Sequence, residues 1–175
     1  FGEVIESHLD AVAFVAESTR VPVGRRFSTI LTSAAGHPLD KTYYQTVKGM
    51  VTPLDILEPG GTLIVASACS EGFGSHEFRA SQARLVELGP DAFLQTLLAK
   101  RFADVDEWQT EMQLKPMRAG RVQLYTTGLG DDDRRLTGVE NVGSVESALE
   151  AALARAGDGT LAVIPEGPYV VPVVT

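Results

Sequence analysis

The fold class follows from the segment Thr62-Leu-Ile-Val-Ala-Ser-Ala-Cys-Ser-Glu-Gly-Phe-Gly-Ser-His76. A run of branched apolar residues stops at Ala66, and a turn with two glycines leads to Ser75, a residue type that caps helix N-termini. The apolar run is continuous instead of alternating, which is typical of a strand covered on both faces, as in a parallel sheet. This segment therefore predicts a strand, a turn and a helix of an α/β fold.

Similar apolar runs occur along the whole chain, and helical patterns lie between most of them. Strands that alternate with helices predict an open, mostly parallel sheet of about five strands with helices on both faces, a Rossmann-like three-layer sandwich. We expect residues 1–175 to form a single α/β domain. The predicted strands are Ala11 to Ala16, Ser28 to Thr32, Thr62 to Ala66, Arg121 to Thr126 and Thr160 to Ile164.

Capping residues and glycines give the bounds of five predicted helices. Residues 21–26 and 129–140 are predicted to be loops. The helices run from Asp40 to Lys48 with Gly49 as the C′ residue, from Ser75 to about Leu88, from Pro90 through Leu98, from about Asp104 to Leu114, and from Ser144 to Gly157.

Composition limits the classes of function. Of the 175 residues, 44% are hydrophobic and 22% charged, which is the balance of a soluble globular domain. The net charge of −8 and the scattered basic residues argue against nucleic-acid binding. No apolar stretch approaches the roughly 20 residues that span a bilayer, so we expect no membrane partner. The single cysteine, Cys69, cannot form an internal disulfide, which fits a cytoplasmic location.

The first candidate for chemistry is a polar helix face after Asp40. The site of such a sheet is expected at the carboxyl ends of its strands, where residues 32–40 and 67–76 lie. In a helix, Lys41, Gln45 and Lys48 share one face, where Lys48 offers a charged contact and Gln45 a neutral hydrogen bond to a small carboxylate or phosphate. A solvated polar face is the alternative. The opposite side holds Tyr43, Val47 and Met50.

The glycine turn is the second candidate. Gly72 and Gly74 permit a tight turn whose amides can face an anion at a helix N-terminus. The turn lacks the third glycine of the dinucleotide fingerprint, and a plain strand-to-helix turn is the alternative. Cys69 and His76 suggest a thiolate–imidazole pair, but a buried structural cysteine is the favoured interpretation. The three histidines are isolated, so we predict no metal site within this chain.

Three motifs occur in this order along the chain: residues 32–49, which contain Pro-Leu-Asp and Gln-x-x-Lys-Gly, residues 69–75, and Asp106-Glu-Trp-Gln109. Together they resemble the carboxy-terminal domain of the nickel-pincer lactate racemase family. The likeness runs from about Arg20 onward, and it implies one half of a two-domain enzyme that racemises or epimerises a small 2-hydroxy acid. The sequence starts at Phe1 without an initiator Met, which also suggests a piece of a longer protein.

The resemblance implies a division of labour between two domains. The absent amino-terminal domain would hold the nickel pincer nucleotide through a lysine and a nickel-ligating histidine, and would supply paired histidine acid–bases. We therefore expect no catalytic residue, no metal ligand and no bound cofactor in this chain alone. By the resemblance, the substrate-binding residues are Gln45, Lys48, Tyr44 and Trp108, and the candidate cofactor-binding residues are Gly72, Gly74 and Ser75.

The implied reaction removes a hydride from the hydroxyl-bearing carbon and returns it to the other face of a planar keto acid. Lys48 would anchor the substrate carboxylate, and Gln45 would fix its orientation. For Trp108, packing in the core is the alternative to a wall beside the ligand. Two other functions remain open for the whole chain, namely a stand-alone module that binds a small anion and a structural domain without catalysis.

Overall fold

Residues 2–175 are described by a computed structural model in which helices and strands alternate along the chain. The helices are α1 (Val4–Thr19), α2 (Tyr43–Val51), α3 (His76–Leu88), α4 (Pro90–Leu98), α5 (Glu107–Ala119), α6 (Asp131–Leu136) and α7 (Val145–Ala156), with 3₁₀ turns at Thr52–Ile56 and Gly167–Tyr169. The strands are β1 (Arg20–Val23), β2 (Phe27–Ser33), β3 (Leu57–Ala66), β4 (Arg121–Tyr125), β5 (Glu140–Val142), β6 (Leu161–Ile164) and β7 (Val171–Val174).

Five strands form one parallel sheet in the order β5-β4-β3-β2-β6. Helix α7 packs on one face of this sheet, and α2 and α5 pack on the other. Because β6 returns to the far side of β2, the strand order reverses between these two strands, where such sheets usually bind ligands. The predicted fold class is confirmed, and the sheet is parallel throughout.

The central strand β3 shows why the sequence forms this sheet. Leu63 and Val65 point to the face covered by α2 and α5, whereas Ile64 points to α7, and all three are fully buried. Ala148 and Ala152 of α7 are small enough to pack closely over Ile64. A continuous apolar run is therefore required here, because alternate side chains enter two separate hydrophobic layers.

The prediction of a strand from Ala11 to Ala16 is wrong, because this run lies within α1. None of the side chains of α1 is buried, and a run that no other element covers has no reason to be extended. Its alanines instead favour a helix. The fifth strand of the sheet is Glu140–Val142, at an edge and only three residues long, which lies at the end of a predicted loop.

The two predicted loops also contain regular structure. Residues 21–26 include most of β1, which pairs with β7 in a separate two-stranded parallel sheet. Residues 129–140 include α6, whose acidic first turn, beginning at Asp131, is followed by Arg134 and Arg135 as the helix dipole favours. In both cases the element is short, and its partner lies far away in sequence.

The start of α2 differs from the prediction. Thr42, and not Asp40, caps the helix, because its hydroxyl accepts a hydrogen bond from Gln45 N. Asp40 instead accepts a hydrogen bond from Ala68 N at 3.1 Å through its carboxylate. Gly49 does not end the helix; it lies inside α2, where a Cβ would come within 3.2 Å of the Ser33 carbonyl oxygen.

The other predicted helices lie close to their expected positions. Ser75 and Ser144 cap α3 and α7 through their hydroxyls, and Gly157 ends α7 in the left-handed conformation. Helix α5 begins at Glu107, three residues later than predicted, and continues through Pro116 to Ala119. Over residues 2–175 we find no helix with the length and apolar character needed to cross a membrane.

Candidate functional site

Two loops run side by side at the carboxyl edge of the sheet. One follows β2 and covers residues 34–42; the other follows β3, covers residues 67–75, and is called the glycine loop below. They meet because β2 and β3 are paired neighbours in the sheet, so the two segments singled out in the sequence do come together. The hydrogen bonds that join them run from Cys69 N to Asp40 O (2.8 Å), Glu71 N to Lys41 O (2.7 Å), Tyr43 N to Gly72 O (3.0 Å) and Tyr44 N to Phe73 O (3.0 Å).

The glycine loop presents carbonyl groups to the N-terminus of α2. The carbonyls of Gly72 and Phe73 accept from the first two amides of the helix, and Gly72 N donates to Cys69 O at 2.9 Å. At Gly74, where φ is +125°, a Cβ would lie 2.9 Å from Tyr44 Cβ. The glycine thus allows Tyr44 to pack against the loop, whereas cofactor contact by Gly72, Gly74 and Ser75 stays a prediction.

Lys48 projects from the exposed side of α2. Its Nζ lies 5.7 Å from the centre of the Tyr44 ring, a distance at which a cation is attracted to an aromatic face. Among residues 2–175, no carboxylate lies within 4.0 Å of this amine. In a chain of net charge −8, Lys48 is therefore a cation that no internal carboxylate neutralises, and it can meet an external anion.

The predicted division of α2 into two faces is confirmed for most of its residues. Gln45 is partly exposed on the side of Lys48, three residues earlier. Lys41 does not belong to this face, because it precedes the helix and forms an ion pair with Glu71 of the glycine loop. The opposite, fully buried face consists of Tyr43, Val47 and Met50.

An aromatic wall stands beside Lys48. Trp108 is 49% exposed, so it is not a core residue, and its ring meets that of Tyr44 edge-on at 6.1 Å. Phe78 contacts the Tyr44 ring in the same manner at 5.1 Å. Next to this wall lies a cleft of about 360 Å³, lined by Lys48, Val51, Thr52, Trp108, Gln109, Met112 and Val171.

The residues around Trp108 are anchored to the rest of the domain. Glu107 is 2% exposed, and its carboxylate accepts hydrogen bonds from Arg84 and Lys100, both at 2.7 Å. Burial alone would raise the pKa of Glu107, but the hydrogen bonds from Lys100, the Asp104 amide and Arg84 outweigh it and lower the pKa. This ionic anchor fixes the first turn of α5 and with it the position of Trp108.

Gln109 fastens the same turn to α2. Its side-chain amide is fully buried and donates to the Tyr44 carbonyl oxygen at 2.6 Å. Sequence analysis did not single out Gln109 or Asp106 as contributing to the site. The sequence feature that could have indicated them is the motif Asp106-Glu-Trp-Gln109, in which two polar residues that prove to be buried flank an exposed tryptophan.

Cys69 and His76 do not form a pair. Cys69 is fully buried, and its sulfur lies 3.4 Å from Thr46 Oγ1 and 3.5 Å from Ser67 Oγ. His76 is exposed at the start of α3. The prediction that Cys69 is buried is confirmed, and its structural role stays a prediction.

Replacing Cys69 by alanine is expected to leave kcat/KM of the complete gene product within about tenfold of the wild-type value, a loss of less than roughly 1.4 kcal/mol in transition-state stabilisation. The thiol is fully buried in the hydrophobic core, and its polar neighbours are the hydroxyl groups of Thr46 and Ser67. Steady-state kinetics with a thermal unfolding control measure this directly. A loss of several orders of magnitude in a folded variant would instead indicate that the sulfur takes part in the reaction.

The described residues 2–175 contain no group of three or more His, Cys, Asp or Glu side chains that could hold a metal ion. The Asp131-Asp-Asp133 turn is engaged in internal ion pairs, from Asp132 to Arg135 and from Asp133 to Arg79. We assign no metal centre to this part of the chain.

Comparison with known proteins identifies relatives of this domain. Residues 25–173 match the family described as the lactate racemase C-terminal domain. The lactate racemase of Thermoanaerobacterium thermosaccharolyticum is 25% identical over 97% of this chain and 40% of the relative. The lactate racemase of Lactiplantibacillus plantarum is 29% identical over 95% of this chain and 39% of the relative.

Solved structures show the same fold. The lactate racemase apoprotein of T. thermosaccharolyticum superposes with a TM-score of 0.82 at 24% identity, over 94% of this chain and 40% of that one. A crystal structure of a Thermotoga maritima protein superposes with a TM-score of 0.62 at 11% identity, over 98% of this chain and 42% of that one. The chain thus spans about 40% of the length of the curated relatives that it matches.

Proposed function

The chain belongs to the lactate racemase C-terminal domain family, and on this premise we propose that it forms the substrate-facing wall of a lactate racemase-like enzyme acting on a small 2-hydroxy acid. The observation that carries the proposal is Lys48, an exposed cation that has no carboxylate partner among residues 2–175 and lies beside the Tyr44–Trp108 aromatic wall. A 2-hydroxy acid offers two groups that such a site can recognise, a carboxylate for the amine of Lys48 and a hydroxyl oxygen for a neighbouring donor.

In this proposal each residue of the chain binds or orients, and none acts as an acid or base. Lys48 donates a charge-assisted hydrogen bond to the substrate carboxylate, which is stronger than a neutral one. Gln45, three residues earlier on α2, supplies a neutral amide that fixes orientation. Tyr44 and Trp108 exclude water on one side, and this strengthens the ionic contact with Lys48.

The family resemblance implies that a nickel pincer nucleotide, if bound in the complete enzyme, would supply the hydride-transfer chemistry. The donor set of residues 2–175 does not fit a nickel centre, and we derive no step of the reaction through this group. The contribution proposed for this chain is placement of the substrate, which lowers the entropic part of the barrier.

We propose that a second domain completes the site; the relatives are longer proteins, of which this chain covers about 40%. Helix α1 has no buried residue and exposes a row of large apolar side chains, which is unusual for a surface that stays in water. Val171 of β7 lines both the groove along α1 and the cleft at Lys48. A domain that covers α1 would therefore reach the substrate cleft. The exposed apolar residues of α1 are Val4, Ile5, Leu9, Val12, Phe14 and Val15.

Chiral turnover assays with the isolated chain and with the complete gene product test the proposal. The complete, cofactor-loaded protein is expected to interconvert the enantiomers of a 2-hydroxy acid such as lactate. The isolated chain is expected to give no turnover, because the resemblance places the acid–base residues outside it. Turnover by the isolated chain would contradict the division between two domains, and absence of turnover by the loaded, folded gene product with lactate and longer 2-hydroxy acids would contradict the reaction.

A further inference from the structure

Asp106 has an unusual place in the site. It stands at the N-cap position of α5, where an aspartate normally accepts a hydrogen bond from an amide of its own helix, but its side chain makes no such bond. Its backbone is in the left-handed conformation, with φ at +60°, which L-residues other than glycine rarely adopt. Capping of α5 therefore does not explain why an aspartate occupies this position.

The carboxylate of Asp106 is directed to the glycine loop and to Tyr44. Ser75 Oγ donates to Asp106 Oδ2 at 2.5 Å, across 31 positions in the sequence. The same Ser75 oxygen accepts from Phe78 N at 3.1 Å, which ties the contact to the first turn of α3. Asp106, Ser75 and Tyr44 line one cleft of about 370 Å³ together with Thr42, Glu71 and Gly74.

The main chain and the side chain of Tyr44 both lie against the start of α5. Gln109 donates to the main-chain carbonyl of Tyr44, while Asp106 faces the side chain from the other edge of the same segment. Trp108, between these two anchors, meets the Tyr44 ring edge-on. A change in the position of Asp106 would therefore displace both residues of the aromatic wall, Tyr44 and Trp108.

We infer that Asp106 is a positioning residue, whose carboxylate fixes the Ser75 hydroxyl and orients the Tyr44 phenol in the wall beside Lys48. The part of this inference that assigns Tyr44 to a substrate wall rests on the proposed function. The placement of Asp106 in the cleft beside Tyr44 does not rest on it, and this placement can be tested on the chain without substrate.

The charges around Tyr44 predict the direction in which the titration of its phenol moves when Asp106 is replaced. Burial raises the pKa of the Tyr44 phenol, and the negative charge of the nearby Asp106 carboxylate raises it further. Glu71 lines the same cleft, and its negative charge also disfavours ionisation of the Tyr44 phenol. The Lys48 ammonium over the ring favours ionisation instead. Removal of the Asp106 charge should therefore let the phenol ionise at a lower pH.

Trp108, the single tryptophan, allows this titration to be followed at one place in the molecule. A tyrosinate absorbs light in the range where tryptophan emits, so ionisation of Tyr44 at a ring distance of 6.1 Å quenches Trp108 fluorescence. The alkaline titration is compared between the wild-type chain and Tyr44→Phe, and the transition lost in Tyr44→Phe is assigned to Tyr44.

Asp106→Asn is expected to shift this transition to lower pH, because asparagine tolerates the left-handed backbone and keeps a hydrogen-bonding side chain without the charge. Asp106→Gly, which also tolerates this backbone but has no side chain, should shift the transition in the same direction and make Trp108 easier to quench with acrylamide. Asp91→Asn, which removes an 89% exposed carboxylate, serves as the control and should leave the transition in place.

An unchanged Tyr44 transition in Asp106→Asn, with circular dichroism showing a folded chain, would overturn the inference. A shift in Asp91→Asn equal to that in Asp106→Asn would also overturn it, since the effect would then come from net charge alone. If the titration shifts as expected but the complete gene product does not racemise any 2-hydroxy acid, the proposed function fails and the positioning role of Asp106 stands.

Discussion

Replacing Lys48 by alanine in the complete gene product is expected to lower kcat/KM for the proposed 2-hydroxy acid substrate by about 10- to 150-fold. This range corresponds to the roughly 1.5 to 3 kcal/mol that a hydrogen bond to a charged group typically contributes. Lys48 has no carboxylate partner among residues 2–175, so its removal breaks no internal ion pair and the loss should appear in the reaction rather than in folding. Steady-state kinetics and thermal unfolding of the same preparation measure both quantities.

Matched variants separate the role of Lys48 from general effects. Lys115→Ala removes an exposed lysine on a different helix, α5, and should change kcat/KM and stability little. Gln45→Ala should cost less than Lys48→Ala, because a neutral amide contributes nearer to about 1 kcal/mol. Wild-type kinetics in both Lys48→Ala and Gln45→Ala would show that this face of α2 is only solvated, which is the alternative left open by the sequence.

Local signals were enough to predict most of the helices. Ser75 and Ser144 each accept from an amide three residues ahead, and such a contact can be inferred from neighbouring residues alone. Asp40 has an equally suitable side chain, but it accepts from Ala68 N, 28 residues away. A capping residue can therefore be predicted from its type only where no distant partner competes for it.

The strand error has a related cause. The run from Ala11 to Ala16 is as apolar as the true strands, and an apolar run becomes a buried strand only if other elements cover it. In β3 the covering elements exist on both sides, whereas α1 has no buried side chain. Hydropathy along the chain describes what a segment can bury, and the packing of the whole domain decides whether it does.

The candidate site was predictable in part for the same reason. The spacing of Gln45 and Lys48 places both on one side of a helix, and this could be inferred from the sequence. The position of Trp108 beside them depends on the anchors of Glu107 and Gln109, whose partners lie on α2, α3 and the segment after α4. Contacts of this kind carry no periodic signal, so the sequence motif identified the segment without showing its geometry.

Replacing Glu107 by alanine is expected to destabilise the domain by about 3 kcal/mol, at the low end of the range for a broken buried ion pair. The lower figure is appropriate because the side chains of Arg84 and Lys100 remain 35% and 28% exposed, so water compensates part of their lost contact. For a domain of this size the change corresponds to a fall of about 6 to 12 °C in Tm. Thermal and denaturant unfolding measure it.

The Arg121–Glu140 pair provides the matched control for Glu107. Its partners are 45% and 40% exposed, and an exposed pair contributes about 0 to 1 kcal/mol. Glu140→Ala should therefore change Tm far less than Glu107→Ala. Equal losses in the two variants would mean that burial adds nothing to the anchor, and that Trp108 is held by its hydrophobic contacts instead.

The acid dependence of stability gives a second test of the same anchor. Because the folded-state pKa of Glu107 is lowered, its ionised form stabilises the domain above the ordinary carboxyl pKa, and this contribution is lost as pH falls through the lower folded-state pKa. In Glu107→Gln the charge is absent at every pH. The difference in unfolding free energy between wild type and Glu107→Gln should therefore be largest near neutral pH and shrink on acidification. A difference independent of pH would show that the carboxylate contributes by its shape and hydrogen bonds alone, and the ionic anchor of Trp108 would then be wrong.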